Sequence, residues 1–340
     1  MGTCRPDFLL YVNDILLFKG EEKAVKDDFN NAKDDLSKKF STLDPLFFGD
    51  VKFLMCYAAA GSKLGFFAID GFTGNLVPLT NLFDLHAPES RFMVIETIIN
   101  IVRILNTMIP HLPTDVIPLG KTLKYGKSTT ITFDTLTVVK ELPIDDLPYT
   151  KEDAKKRIQL LQSMYECAKD YSGLVQVDKL PTTYISNGRK FYKLVMKTRG
   201  RQIPPTNEDE CRVMTKDLLK GLLRLHQNNF LHRDIRMSNI LRVSDNNCTY
   251  SLIDFEHGGG EATFGADEML TGWDCNTLTG NNRYTSRSDI YQLGKLLLGT
   301  NLVMSQNGRN FIDTLLAKKT GAGVALSHHW FQELQIVYSM

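Results

Sequence analysis

The groups best able to do chemistry lie in two short runs. In the first, His232-Arg233-Asp234-Ile235-Arg236-Met237-Ser238-Asn239 is followed by the polar stretch Ser244-Asp245-Asn246-Asn247, an apolar segment, and then Asp254-Phe255-Glu256. Carboxylates and a carboxamide are hard oxygen ligands of the kind magnesium takes, and a carboxylate beside a hydroxyl can accept its proton. In the second run, Pro6-Asp7 stands near Glu21-Glu22-Lys23. There Asp7 and Glu21 could hold a divalent cation while Lys23 helps to position and ionise a water molecule.

Behind each run stand the elements that must place it. Val213, Leu218, Leu222 and Leu225 recur at helical spacing from Asp209 onward, and Asn228-Asn229 breaks the pattern. Two strands around the polar hairpin then deliver Asp234, Asn239 and Asp254 to one place. Upstream, 135–140 is a β-branched strand ending in Lys140, and 151–170 is an amphipathic helix. In the N-terminal run, strands over 5–12 and 15–23 are separated by Asn13-Asp14, a hairpin signal, and are followed by a helix over about 24–40 and a strand over 64–69. Register decides the chemistry here. A plain two-residue turn sets Asp7 opposite Gly20 and turns Glu21 to the other face, whereas a three-residue loop or one bulge shifts the pairing and sets Asp7 opposite Glu21, with Lys23 on the same face.

At residues 232–239 and 254–256 the sequence resembles the eukaryotic protein-kinase superfamily, whose catalytic loop reads HRDxxxxN and whose magnesium motif reads DFG. The loop matches in full, and the resemblance covers about residues 114–335. It implies an enzyme that moves the γ-phosphate of ATP, with Mg2+, to serine or threonine hydroxyls of a protein substrate. Asp234 is then the base, Lys140 the phosphate anchor, Asn239 and Asp254 the magnesium ligands, and Arg236 a neutraliser of the transferred phosphate. Gly120, Gly126 and Met196 join Lys140, Asn239 and Asp254 around the nucleotide. Asp289 would accept backbone hydrogen bonds from the catalytic loop, and Arg233 would receive a phosphate on the activation segment, where Thr271, Thr277, Thr279 and Ser286 are available. Ala325-Leu326-Ser327-His328-His329-Trp330-Phe331 resembles the last kinase helix.

There are departures. Glu256 replaces the motif's glycine, the glycine-rich loop is thinned to Gly120 and Gly126, and no APE motif precedes Asp289. The arginine that pairs with that missing glutamate has no counterpart in 315–322. No glutamate falls where the helix after Lys140 should supply one: Glu166 lies late, and the expected separation falls nearer Gln159 or Gln162. The run 120–129 looks like a phosphate-binding P-loop but has five residues between its glycines where four are required, and a strand-like segment follows where a helix should.

The N-terminal run resembles the core of PD-(D/E)xK nucleases, lacking that core's first helix and strand. A segment of this kind followed by a divergent kinase domain is similar to Crinkler-type effector proteins of fungi and oomycetes. That resemblance implies secretion, delivery into a host cell and action in its nucleus; without it, the setting is cytoplasm or nucleus. The fold class expected is α+β: a two-lobed kinase-like fold over 114–340, an amphipathic linker helix over 86–113, and a small, partial, restriction-endonuclease-like α/β segment over 1–85. DNA is a partner only through that first segment. A pseudokinase scaffold and a metal-dependent nuclease regulated by the kinase fold are the alternatives.

Composition sets the frame for these readings. With 340 residues, 43% hydrophobic and 23% charged, the chain is globular and has room for about two domains. The formal charge of +1 divides into −3 over 1–112 (11 basic, 14 acidic) and +4 over 113–340 (29 basic, 25 acidic), so no overall field draws it to nucleic acid or to an anionic membrane. The six cysteines form no CxxC pair, which argues against a zinc site or a disulfide scaffold. Between Met93 and Leu112 polar residues recur every three to four positions, the pattern of an amphipathic helix and not of a membrane span, and no membrane partner is expected.

Overall fold

The computed structural model describes residues 7–38, 43, 45–114, 122–125, 128–134, 137–149, 153–244, 249–265 and 268–335. The chain divides into two compact units, Met1–Leu123 with Ile131–Val138, and Lys124–Thr130 with Val139–Met340.

In the first unit β1 (Phe8–Val12) and β2 (Ile15–Lys23) form an antiparallel hairpin. Asn13 and Asp14 at its turn take φ of 50° and 64°, as a two-residue type I′ turn demands. Val12 faces Ile15 beside the turn, but a bulge between Leu10 and Tyr11 shifts the remainder, so that Leu10, Leu9 and Phe8 face Phe18, Lys19 and Gly20. This is the shifted register, which carries Asp7 toward Glu21. The chain then runs through α1 (Phe29–Lys38) and α2 (Pro45–Phe48) into β3 (Phe53–Ala60), which lies parallel to β2. A parallel step needs a crossover, and α1 supplies it, packing on β2 and β3 with Ala32 and Leu36 buried. Each such buried leucine contributes about 1.5–3 kcal/mol. β4 (Lys63–Asp70), β5 (Leu76–Pro78) and β6 (Phe83–Asp84) complete a sheet of order β1-β2-β3-β4-β5, with β6 also on β4.

The helix expected over 86–113 is α3 (Pro88–Met108). Along it Ile101 and Leu105 are buried, while Phe92, Ile95, Ile99 and Val102 are exposed. With the turn that follows, Pro88–His111 is long and apolar enough to cross a membrane by length and composition, at a mean hydropathy of 1.6, although Glu96 and Arg103 lie within it.

The division between the units runs through β7 (Thr122–Tyr125) and β8 (Thr129–Phe133). Beyond them a sheet-rich lobe contains β9 (Val138–Pro143), α4 (Ala154–Ala168) and the antiparallel pair β10 (Val177–Ser186) and β11 (Arg189–Met196), with β9 beside β11. A helical lobe follows: α5 (Glu208–Gln227), the hairpin β12 (Ile240–Ser244) and β13 (Thr249–Leu252), the short pair β14 (Ala262–Thr263) and β15 (Arg283–Tyr284), then α6 (Ser286–Leu298), α7 (Gln306–Leu316) and α8 (Ala322–Leu326). The architecture is α+β. Asn207 caps α5 by accepting a hydrogen bond from the Glu210 amide, and Cys211, Met214, Leu218, Leu222 and Leu225 form its buried stripe. Near the C-terminus Trp330 is buried, stacks on Phe311 at 4.7 Å and donates its indole N–H to Glu208 at 2.7 Å.

Candidate active site

The loop 232–239 is held by one carboxylate. Asp289, inside the first turns of α6 and fully buried, accepts hydrogen bonds from the backbone N–H of His232 (3.0 Å) and of Arg233 (2.9 Å) and from the Tyr284 hydroxyl (2.6 Å), and lies 2.9 Å from the His226 ring nitrogen. Burial works against its charge, but the hydrogen bond and charge of His226, then Tyr284, outweigh it and hold the carboxyl below its ordinary value. This network keeps Arg233 at φ 69°, a left-handed conformation unusual for a residue with a side chain; Asp254 has another, at φ 72°.

Above that anchor the site residues converge. Asn239 donates through Nδ2 to the backbone oxygen of Asp234 at 2.9 Å and to its carboxylate at 2.8 Å. Arg236 places a guanidinium nitrogen 3.1 Å from the same carboxylate. From β9, Lys140 sets its ammonium 2.8 Å from Asp254 Oδ1 and 3.1 Å from Glu256 Oε1. Phe255 lies between these acids, fully buried, stacked on Tyr165 of α4 at 4.8 Å and edge-on to His232 at 5.6 Å. Burial opposes ionisation throughout. It is outweighed at Lys140 by Glu256 and Asp254, which raise the ammonium's pKa, and at Asp254 by Lys140, which holds that carboxyl below the usual range. Glu256 goes the other way, pushed up by burial and by the Asp254 charge.

Both bonds of Asn239 use Nδ2, which leaves Oδ1 as the atom it can offer a cation. An amide oxygen beside an ionised Asp254 fits magnesium, which is usually bound by one or two carboxylates together with substrate phosphates. Met196, at the end of β11, is buried. Gly120 and Gly126 lie outside the described residues.

The helix after Lys140 differs from expectation. In α4, Glu166 and Gln159 are exposed, and Gln162 donates to the Pro181 carbonyl at 2.8 Å. The buried polar residue is instead Arg157, whose guanidinium donates to the carbonyls of Gly258 (2.7 Å) and Glu256 (2.6 Å). Sequence reading missed it. The available signal was a pair of departures, an acid where the motif has glycine and a helix with a base but no acid in its first half.

The activation segment also differs. Arg233, expected to receive a phosphate, donates to the Gly260 carbonyl and lies over the rings of Phe264 (5.0 Å) and Tyr149 (5.8 Å). Trp273 stacks on Tyr284 at 4.7 Å and donates its indole N–H to the Arg233 carbonyl at 2.8 Å. Of the threonines considered for phosphorylation, Thr277 is buried, its hydroxyl accepting from the Asp274 amide at 3.0 Å, while Thr271 is exposed. Beside the Asp234–Arg236 pair opens a cavity of about 510 Å3, lined among others by Arg236, Met237, Thr277, Gln292 and Lys295.

In the first unit, Glu21 is buried, and Asp7 accepts the Glu22 backbone N–H at 2.8 Å. The Lys23 ammonium is committed to Asp35 of α1 at 2.8 Å, a contact that leads the causes raising its pKa, with Glu21 and Asp7 adding smaller charge effects. Lys19, fully buried on the same face of β2, donates to the Leu36 carbonyl at 2.6 Å, a partner that no spacing rule reveals. Among the described residues no group of three or more His, Cys, Asp or Glu is arranged to hold a metal; Pro6 lies outside them.

Residues 164–319 match the family model described as "Protein kinase domain". Over 257 residues the chain is 29% identical to Crinkler effector protein 8 of Phytophthora infestans, an alignment that covers 75% of this chain and 39% of that protein. It is 34% identical over 101 residues to mitogen-activated protein kinase 4 of Arabidopsis thaliana, covering 28% of this chain and 26% of the relative. Serine/threonine-protein kinase D of a Synechocystis species is 26% identical over 196 residues, covering 52% and 37%. The chain thus spans well under half the length of each relative. The kinase match begins at Met164 in α4, after Lys140 and Arg157.

Proposed function

We propose that this chain transfers the γ-phosphate of ATP to serine or threonine hydroxyls of a protein, as part of a Crinkler-like effector. The observation that carries the reading is the pairing of Lys140 with Asp254 and of Asn239 with Asp234. In this reading Asp234 takes the proton of the attacking hydroxyl, Lys140 anchors the phosphates of the nucleotide, and Asn239 and Asp254 hold Mg2+. Bound magnesium would neutralise phosphate charge. Arg236, already beside Asp234 and half exposed to the adjoining cavity, supplies further positive charge at the transferred phosphate. Hydroxyl specificity is drawn from the serine/threonine kinase relative and the effector role from the effector relative; action in a host-cell nucleus is what the resemblance to that effector type implies. The test is incubation of the pure protein with magnesium, labelled ATP and a generic protein substrate. Asp254→Ala should abolish transfer and Asp234→Asn should lower it at least about a hundredfold; equal background in wild type and both variants, with ATP still raising the melting temperature, would mean a pseudokinase scaffold.

A second reading, a weak metal-dependent nuclease in the first unit, is favoured by the bulge that directs Asp7 toward Glu21. Its test is magnesium-dependent nicking of DNA that disappears in Lys23→Ala.

A further inference from the structure

The geometry points to Glu256, fixed from behind by Arg157, as the residue that positions Lys140, a task protein kinases ordinarily give to a glutamate on the helix after the lysine strand. The inference rests on the kinase reading above and deepens it.

Lys140 has two carboxyl neighbours, Asp254 at 2.8 Å and Glu256 at 3.1 Å. Asp254 is the one assigned to magnesium, so Glu256 is the acid left to hold the lysine once Asp254 is committed to the cation. The helix cannot do it directly. Its single acid, Glu166, faces solvent, and its buried polar residue is a cation, which would repel Lys140 if it pointed there. Arg157 turns instead to the loop and makes two charge-assisted bonds, to the carbonyls of Glu256 and Gly258. Those bonds fix the backbone that carries the Glu256 side chain, and that side chain, only 4% exposed, has little room to leave the lysine. Helix and lysine are therefore still linked, with the charges rearranged: helix cation, loop carbonyl, loop carboxyl, lysine ammonium. The two departures, glutamate for the motif's glycine at 256 and a buried arginine on a helix without the expected acid, are one structural unit.

The experiment measures the affinity of the full chain for magnesium ATP by calorimetry, together with the KM for ATP and kcat, in wild type, Glu256→Gln, Glu256→Asp, Arg157→Gln and Glu166→Gln. Glu256→Gln should weaken nucleotide affinity about tenfold or more, because it removes the carboxyl that lies 3.1 Å from the Lys140 ammonium. Its melting temperature should be preserved, because the amide fills the same space. Glu256→Asp should restore part of the affinity, and Glu166→Gln should change nothing. Arg157→Gln should give a smaller loss of the same kind, and it decides the matter if Glu256→Gln does not fold. Wild-type affinity in both Glu256→Gln and Arg157→Gln would overturn this role and leave the kinase reading standing. A loss in Glu166→Gln matching that in Glu256→Gln would also overturn it, by returning the task to the helix. If the wild type binds no nucleotide, the kinase reading itself fails and this inference falls with it.

Discussion

Asp289 concentrates more consequence in one side chain than any motif residue above it. Two backbone N–H groups and the Tyr284 hydroxyl depend on it, all buried. Asp289→Ala should cost about 3 kcal/mol or more, since each stranded donor keeps its desolvation penalty; a denaturant titration checks this. Its pH behaviour follows from a carboxyl held below its ordinary value. The stabilisation is complete above the unfolded pKa and is lost as pH falls through the folded one, because the unfolded chain takes up the proton first. Melting temperatures followed from about pH 6 to about pH 3 should drop more steeply in wild type than in Asp289→Asn. At this scale, legibility depended on contiguity. Asp234, Asn239 and Asp254 lie in two nearby runs with fixed spacing, and Lys140 follows a β-branched run, although its strand continues to Pro143 rather than ending there. Arg157 and Glu256 are far apart in sequence, and their pairing exists only through a backbone carbonyl, which carries no residue identity.

The activation segment sets an element-level expectation against its sequence reading. Threonines near Arg233 suggested ordering by phosphate. The segment is instead packed as a small core in which Leu231, Phe264, Trp273, Leu278 and Tyr284 are buried together, with Arg233 spent on a carbonyl and two rings. Phosphatase treatment should therefore leave kinase activity unchanged. Trp273→Ala should destabilise the domain by about 3–5 kcal/mol, with amide hydrogen exchange over 257–285 rising before that of α5. Helices were legible to within a few residues because their apolar period is long: 151–170 became Ala154–Ala168, and the helix from Asp209 became Glu208–Gln227. The hairpin register was legible only as a choice. Asn13-Asp14 fixes the turn, but the bulge at Leu10/Tyr11 adds one residue that neither side-chain alternation nor composition marks.

For the whole molecule, the expected boundary near 110–113 falls within a first unit that extends to Leu123 and takes back Ile131–Val138. A charge or composition shift along the chain does not report that return. Asp7, Glu21 and Lys23 belong to the first unit, whereas Lys140, Asp234, Asn239 and Asp254 belong to the second. The two proposed activities should accordingly separate: Lys23→Ala leaves phosphate transfer intact, and Asp254→Ala leaves any nicking intact, both measured on the full chain.

The stacking of Trp273 also has an optical use. The chain has two tryptophans, one on the activation segment and the other, Trp330, beside Phe311 near the C-terminus. Replacing Trp330 by phenylalanine leaves a single indole, whose surroundings are the segment's own packing. Its emission would shift to the red whenever that packing opens to water, so the domain carries a built-in fluorophore that reports the state of its activation segment without a label.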